Sequence, residues 1–326
     1  MKAPTPLFWV AAASLLFAAA SGPLQASEPP ALADARLPTF SDHNLTSEEG
    51  LTYRIIIAPP AGPPPKTGYP VIYLLDGNAW TPMASEVIRT NLGFGLQAKV
   101  EPAIVVGIGY PIDGAFDLVR RDFDLTTPTS VETDAGGSKV GGYEAMARFI
   151  EQRVKPYIER RFPIDRNRQT LAGHSLGGLF ALRTLIDHPG WYQTYLALSP
   201  SIWWNDAALL KEAAALRPPP HSQKARVYIG VGTLEQYWTP AYREKVTAQL
   251  RAQTTADPAA LGGKTVAAAL ADYENNPARM VDNTNAMAEL LREKGLDVEA
   301  DVFPDEDHFS SVPSQLGRAI PFALGK

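Results

Sequence analysis

Between Thr170 and Leu182 an apolar strand pattern passes directly into a helix pattern, and the join reads Gly173-His174-Ser175-Leu176-Gly177. A strand that turns straight into a helix belongs to a fold in which helices pack back onto a sheet. The turn forces its central residue into a strained backbone conformation, and small residues two positions away allow the chain to fold that tightly. The spacing therefore predicts that Ser175 projects above the sheet with a helix N-terminus behind it. There the amide of Leu176 would face negative charge developing on a bound group.

The rest of the chain fits that setting. Short apolar or β-branched runs at 53–57, 71–75, 103–108, 169–172, 194–198, 226–231 and 298–303 read as strands. Helix patterns occupy 83–92, 143–161, 176–187, 207–216 and 280–294. This alternation predicts an α/β fold, a mostly parallel central sheet flanked by helices. Pro59 to Pro65 and Asp134 to Gly142 read as surface loops, and 254–271 as either a helical excursion or a mobile insertion. No repeat with a period of 20 to 50 residues is present, and Asn44-Leu45-Thr46 is assigned no role.

The N-terminus reads as a leader. Lys2, the apolar run from Leu7 to Ala20 and the small residues up to Ala26 have the form of a secretory signal peptide, too short for a membrane span. One α/β catalytic domain is then expected over 27–326, exported and without a membrane anchor. The chain has 30 Lys+Arg against 35 Asp+Glu, a net charge of −5, which leaves no basic stripe for nucleic acid. It has no cysteine, which excludes a thiol nucleophile, disulfides and thiolate metal sites.

A serine hydroxyl needs a base, and in a sheet of this kind the partners follow it in the order acid, then histidine. Of the five histidines, His188, His221 and His308 come after Ser175. His188 ends the helix after the turn and reads as structural, and His221 follows three prolines and reads as exposed. His308 follows the last predicted strand, at the carboxyl edge where open α/β sheets bind ligands. It is the candidate base. Glu235, just beyond the preceding strand, is the first candidate for the acid, with Asp305, Glu306 and Asp307 as competitors and a Ser-His pair without acid as an alternative. Gly77 and Asn78, after the strand at 71–75, are candidates for a second oxyanion donor beside Leu176. No metal or organic cofactor is required by these groups.

Several segments in one order resemble the putative-esterase family of α/β-hydrolases, which holds S-formylglutathione hydrolases and bacterial siderophore esterases. They are Leu74 to Asn78, Arg121-Asp122-Phe123, Thr127-Pro128, Gly141-Gly142, Ile164-Asp165-Arg166, Gly173 to Gly178, Ser199-Pro200-Ser201-Ile202-Trp203-Trp204 and Asp307-His308. The Ser199 to Trp204 segment is similar to that of periplasmic esterases acting on trilactone catecholate siderophores such as enterobactin. The resemblance implies an α/β-hydrolase fold, Ser175 as nucleophile, His308 as base, an oxyanion hole from Gly77-Asn78 and Leu176, and a periplasmic location. The acid position varies in the family, an aspartate standing near Glu235 in some members and a Ser-His pair sufficing in others. A ferric or iron-free catecholate siderophore is the expected small-molecule substrate, and Arg120 and Arg121 could meet its charge while Trp80, Trp203 and Trp204 offer aromatic surface. A carbohydrate-acyl or feruloyl esterase is the nearest alternative on the same fold, and a non-catalytic siderophore-binding module is the rival from another class.

Overall fold

The computed structural model describes residues 39–93, 100–216, 225–274 and 278–325; the leader expected at 1–26 and His221 lie outside them. The strands are β1 (Ser41–Thr46), β2 (Thr52–Ala58), β3 (Tyr69–Leu75), β4 (Ile104–Gly109), β5 (Ile164–His174), β6 (Thr194–Leu198), β7 (Arg226–Gly232) and β8 (Asp297–Phe303). The helices are α1 (Gly77–Asn91), α2 (Leu118–Asp124), α3 (Glu132–Ala135), α4 (Tyr143–Phe149), α5 (Lys155–Glu159), α6 (Leu176–Asp187), α7 (Trp204–Ala215), α8 (Pro240–Ala256), α9 (Val266–Glu274), α10 (Met280–Glu293) and α11 (Val312–Leu324).

Alternating side chains along a strand point to opposite faces, so a strand covered on both sides must be apolar throughout. β3 is buried at every position, with Val71, Tyr73 and Leu75 in one apolar layer and Ile72 and Leu74 in the other. The first layer packs under α4, α5, α6, α7 and α10, and the second under α1 and α11. Among the described residues the strands form one sheet in the order β1-β2-β4-β3-β5-β6-β7-β8. From β4 to β8 all neighbours are parallel, and β2 and β1 add antiparallel strands at one edge.

This order positions the site. After β3 the chain goes outward to β4 on one side, and it returns as β5 on the other side of β3. The carboxyl ends of β3 and β5 therefore flank a point where successive connections leave in opposite directions, the usual ligand crevice of an open α/β sheet. α1 starts at one lip and α6 at the other, on opposite faces.

The departures from expectation have local causes. β1 (Ser41–Thr46) is a largely exposed edge strand, and its polar sequence carries no buried-strand pattern. The segment expected as one helix over 143–161 is a continuous run whose middle, Ile150–Val154, winds wider than an α-helix. α11 was hidden by Pro313, which suits the first turn of a helix, and by Pro321 near its end. The stretch at 254–271 is the helical excursion: it joins α8 to α9, whose Leu250, Ala269 and Leu270 bury one another.

Candidate active site

β5 ends at His174, α6 begins at Leu176, and Ser175 between them has φ 61° and ψ −119°, a left-handed conformation rare outside glycine. The two flanking glycines are not equivalent. A Cβ on Gly173 would overlap the backbone carbonyl of Gly177, whereas one on Gly177 would meet only the Leu75 and Asp76 side chains at 3.4 Å or more. The turn is tied to the end of β6 by Ser175 N–H donating to Leu198 O (2.9 Å) and Ser201 N–H donating to Ser175 O (3.1 Å). The Ser175 hydroxyl is half-buried, and its partner in this structure is Ser201 Oγ at 3.3 Å rather than His308.

His308 lies in the loop after β8, and Glu235 closes a one-turn 3₁₀ helix after β7, so the parallel pairing of these strands brings the two loops together. His308 Nδ1 donates to Glu235 Oε2 at 2.6 Å. The Glu235 side chain is 1% exposed and that of His308 34%, so the carboxylate lies behind the imidazole and away from water. The loops are also pinned through backbone: Leu234 N–H donates to Glu306 O (3.0 Å) and Asp305 N–H to Thr233 Oγ1 (2.9 Å). Asp307, a competitor for the acid, turns back on its own loop. Burial would raise its carboxyl, but the amides of Ser310 and Phe309 hydrogen-bond it and hold it below the ordinary Asp range.

His174 links the two parts. Its ring is 2% exposed, lies 4.4 Å from that of His308 between centroids, and its Nε2 is 2.7 Å from the His308 backbone carbonyl. A carbonyl only accepts, so Nε2 carries the proton and donates. Burial, with the charge of His308 second, holds His174 well below the usual histidine range and keeps it neutral. His174, the residue that precedes Ser175, thus ties the backbone of His308 to the strand-to-helix turn.

At the other lip, Gly77 and Asn78 are the first residues of α1 rather than loop. First-turn amides have no intrahelical acceptor, which leaves the amides of Gly77 and Leu176 at two helix N-termini on neighbouring strands. A side chain at Gly77 would strike the backbone of Gly107 at 2.5 Å, so glycine lets α1 start this close to β4. The Asn78 side chain is otherwise engaged: Oδ1 accepts from Tyr110 N–H (2.9 Å), and Nδ2 faces the carbonyls of Tyr110, Ile112 and Gly114.

A family model described as "Putative esterase" matches residues 48–269. The chain belongs to this esterase family. It is 35% identical over 286 residues to the ferri-bacillibactin esterase BesA of Bacillus subtilis, covering 85% of this chain and 86% of that protein. It is 33% identical over 268 residues to the siderophore enterobactin esterase of Emericella nidulans, covering 77% and 80%. The solved structure of the siderophore hydrolase EstA from Aspergillus nidulans superposes with a TM-score of 0.71 at 28% identity, covering 91% of this chain and 97% of that one. The α/β-hydrolase architecture expected for the family is the one observed.

Within this esterase fold, the residues expected to meet substrate divide. Arg121 is buried, and its guanidinium makes two 3.0 Å hydrogen bonds to the carboxylate of Asp76. A fully buried carboxylate at the lip of the sheet requires such a counterion, so Arg121 is engaged inside the protein rather than presented to a ligand. Arg120 lies 3.4 Å from Asp124 and stacks over Tyr53 and Tyr110. Trp204 is 4% exposed and donates its indole N–H to Thr127 O (3.1 Å), while Trp203 is half-buried against Val231. Trp80 does stand by the site, its ring 5.5 Å from His174 and 5.6 Å from Phe116. Phe116 in turn meets Phe309 at 6.3 Å, and Phe309 is 58% exposed beside His308. Leu118 and Val119 on α2 are exposed as well. Sequence reasoning named Trp80 but passed over Phe116 and Phe309; the adjacency of Phe309 to His308 was the one available signal for the latter.

Proposed function

We propose that the protein is a serine esterase that hydrolyses the ester bonds of a trilactone siderophore through an acyl-enzyme. The observation that carries the reading is His308 backed by the buried carboxylate of Glu235 and tied to His174, the residue before the strand-to-helix serine. Ser175 turns its hydroxyl from Ser201 toward His308 Nε2, which removes the proton as Oγ attacks the ester carbonyl. The amides of Leu176 and Gly77 receive the oxyanion of the tetrahedral intermediate. Collapse breaks the ester C–O bond, and the proton on His308 passes to the departing alkoxide. A water then gives its proton to His308 and adds to the acyl carbonyl, and as the acyl C–O bond breaks that proton passes to Ser175 Oγ, releasing the acid. Glu235 orients the imidazole and stabilises its charged form during both halves.

The substrate class is supported by the named activities of the relatives, ferri-bacillibactin and enterobactin esterases, and by the apolar rim of Trp80, Phe116 and Phe309, which suits flat aromatic arms. Export to the periplasm through a cleaved leader at 1–26 completes the proposal. Among the described residues no helix is long and apolar enough to cross a membrane.

The test of the chemistry is covalent trapping. A fluorophosphonate should add one phosphonyl group to the native protein, located on the peptide that contains Ser175, and none to Ser175→Ala. Labelling of the Ser175→Ala variant at the native rate would assign the nucleophile elsewhere.

A further inference from the structure

Glu235 has a second oxygen, and what holds it reaches to the far end of the chain. Oε1 accepts from Gly232 N–H at 2.7 Å and from the Ser199 hydroxyl at 2.6 Å. Ser199 directly follows β6 with φ 43°, a left-handed residue that turns its hydroxyl toward β7, and it is fully buried. Its Oγ is also 2.8 Å from Gln315 Nε2 on α11, and the same Nε2 is 2.8 Å from Ser311 Oγ. Gln315 and Ser311 are themselves 0% exposed, so no water competes for these groups.

The direction of the hydrogen bonds follows from the backbone. Gln315 Oε1 lies 3.1 Å from Ser199 N–H, a donor that also reaches Gly230 O, and a flipped amide would set N–H against N–H. Oε1 is therefore the oxygen, and Nε2 can only donate. With Nε2 donating into Ser199 Oγ, the single hydroxyl proton of Ser199 points along the remaining bond, to Glu235. The amide fits against β7 because position 230 is glycine: a Cβ there would lie 2.5 Å from Gln315 Oε1.

We infer that Gln315 is a positioning residue which, through Ser199, fixes the hydrogen-bond polarity of the triad acid. Oε1 is occupied by two donors, and Oε2 is left as the acceptor for His308 Nδ1. The inference rests on the reading of Glu235 as that acid.

Three variants test it beside Glu235→Gln, each first checked for native thermal unfolding and circular dichroism. Ser199→Ala removes the donated proton. Gln315→Glu replaces the donor by a carboxylate that competes for it. Gln315→Met leaves Ser199 free to keep donating to Glu235. Expected for the first two is a loss of about tenfold in kcat on a small aryl ester with KM unchanged, the effect of one hydrogen bond to a charged group. The His308 Nδ1–H proton resonance should move downfield in both, because a carboxylate that has lost a donor pulls harder on its remaining proton. Gln315→Met should retain more activity than Gln315→Glu, the reverse of what a packing role for a buried side chain would give for a charged replacement of equal size in a folded variant. If Gln315→Glu does not fold, Ser199→Ala with its proton signal decides. Native kcat and an unmoved signal in Ser199→Ala, with Glu235→Gln impaired, would overturn this inference alone. Native kcat in Glu235→Gln would overturn it together with the reading of the acid.

Discussion

Glu235 and His308 are separated by 73 positions in the chain, yet they share a 2.6 Å hydrogen bond across the carboxyl ends of β7 and β8. Parallel pairing from Arg226↔Asp297 to Gly232↔Phe303 sets that meeting, since both loops leave the sheet at the same edge. A buried acceptor beside the imidazole stabilises positive charge only while it is ionised and aligned. Glu235→Gln is expected to lower kcat by about 10²- to 10⁴-fold with little change in KM. Steady-state kinetics on an aryl ester would check this, and a native kcat would mean that His308 acts without the acid.

The Asp76–Arg121 pair makes a separate prediction about stability. Asp76 and Arg121 side chains are 0% and 10% exposed, so removing either leaves a buried charge without its partner. Arg121→Met should cost about 3–5 kcal/mol in urea unfolding, and the double variant Asp76→Leu/Arg121→Met should recover much of that loss. A double-variant loss equal to the sum of the Asp76→Leu and Arg121→Met losses would show that the pair is not coupled.

At the strand-to-helix turn, Gly173→Ala and Gly177→Ala should differ although the motif treats both glycines alike. The new methyl at position 173 overlaps the Gly177 backbone, and that at 177 makes ordinary side-chain contacts. Overpacking of this kind costs about 1–3 kcal/mol and here displaces Ser175, so Gly173→Ala should lose esterase activity and melt lower. Gly177→Ala should keep the fold, as thermal melts of the two proteins would show.

This asymmetry illustrates what the sequence carries. The strand and helix that flank Ser175 were legible because the turn is local: the end of the strand, the glycine and the start of the helix lie within residues 170–182. The meeting of His308 with Glu235 was legible from chain order and from the strands the two residues follow. The destination of Arg121 was not, because an Arg120-Arg121 doublet looks the same whether its partner is a ligand or an aspartate 45 positions away. Gln315, Phe116 and the contact of Ser199 with Glu235 were likewise silent, since they come from what α11, the segment before α2 and the turn after β6 bring together across the sheet. β1 shows the same limit for the fold, as an exposed edge strand has no hydrophobic pattern to read.

His174 gives the protein an acid-sensitive hold on His308, the proposed base. Its buried imidazole resists protonation in the folded state, while in the unfolded chain it takes up a proton near its ordinary value of 6.5. The unfolded state thus binds more protons as pH falls below that value, so this contribution is intact above it and declines below it. His174→Gln should flatten the fall in stability between about pH 7.5 and about pH 5, measured by chemical denaturation. An unchanged slope would show that other groups set the acid limb.

Phe309 and Phe116 should discriminate between substrates. Phe309 lies beside His308 and Phe116 packs against Phe309, and neither hydrogen-bonds the Ser175 turn. Phe309→Ala is expected to raise KM for an aromatic siderophore about tenfold, the scale of one lost aromatic anchor, and to leave a small acetate ester nearly unaffected. Equal effects on both substrates would place the ring in support of His308 instead.

The most direct measurement is mass spectrometry of ferric enterobactin incubated with the purified protein and, separately, with Ser175→Ala. The native protein is expected to convert the trilactone to linear trimer and shorter fragments, each cleavage adding one water, while the variant leaves it intact. An intact trilactone with both proteins, alongside serine-dependent cleavage of a simple aryl ester, would contradict the siderophore assignment and move the substrate to sugar or cinnamoyl esters.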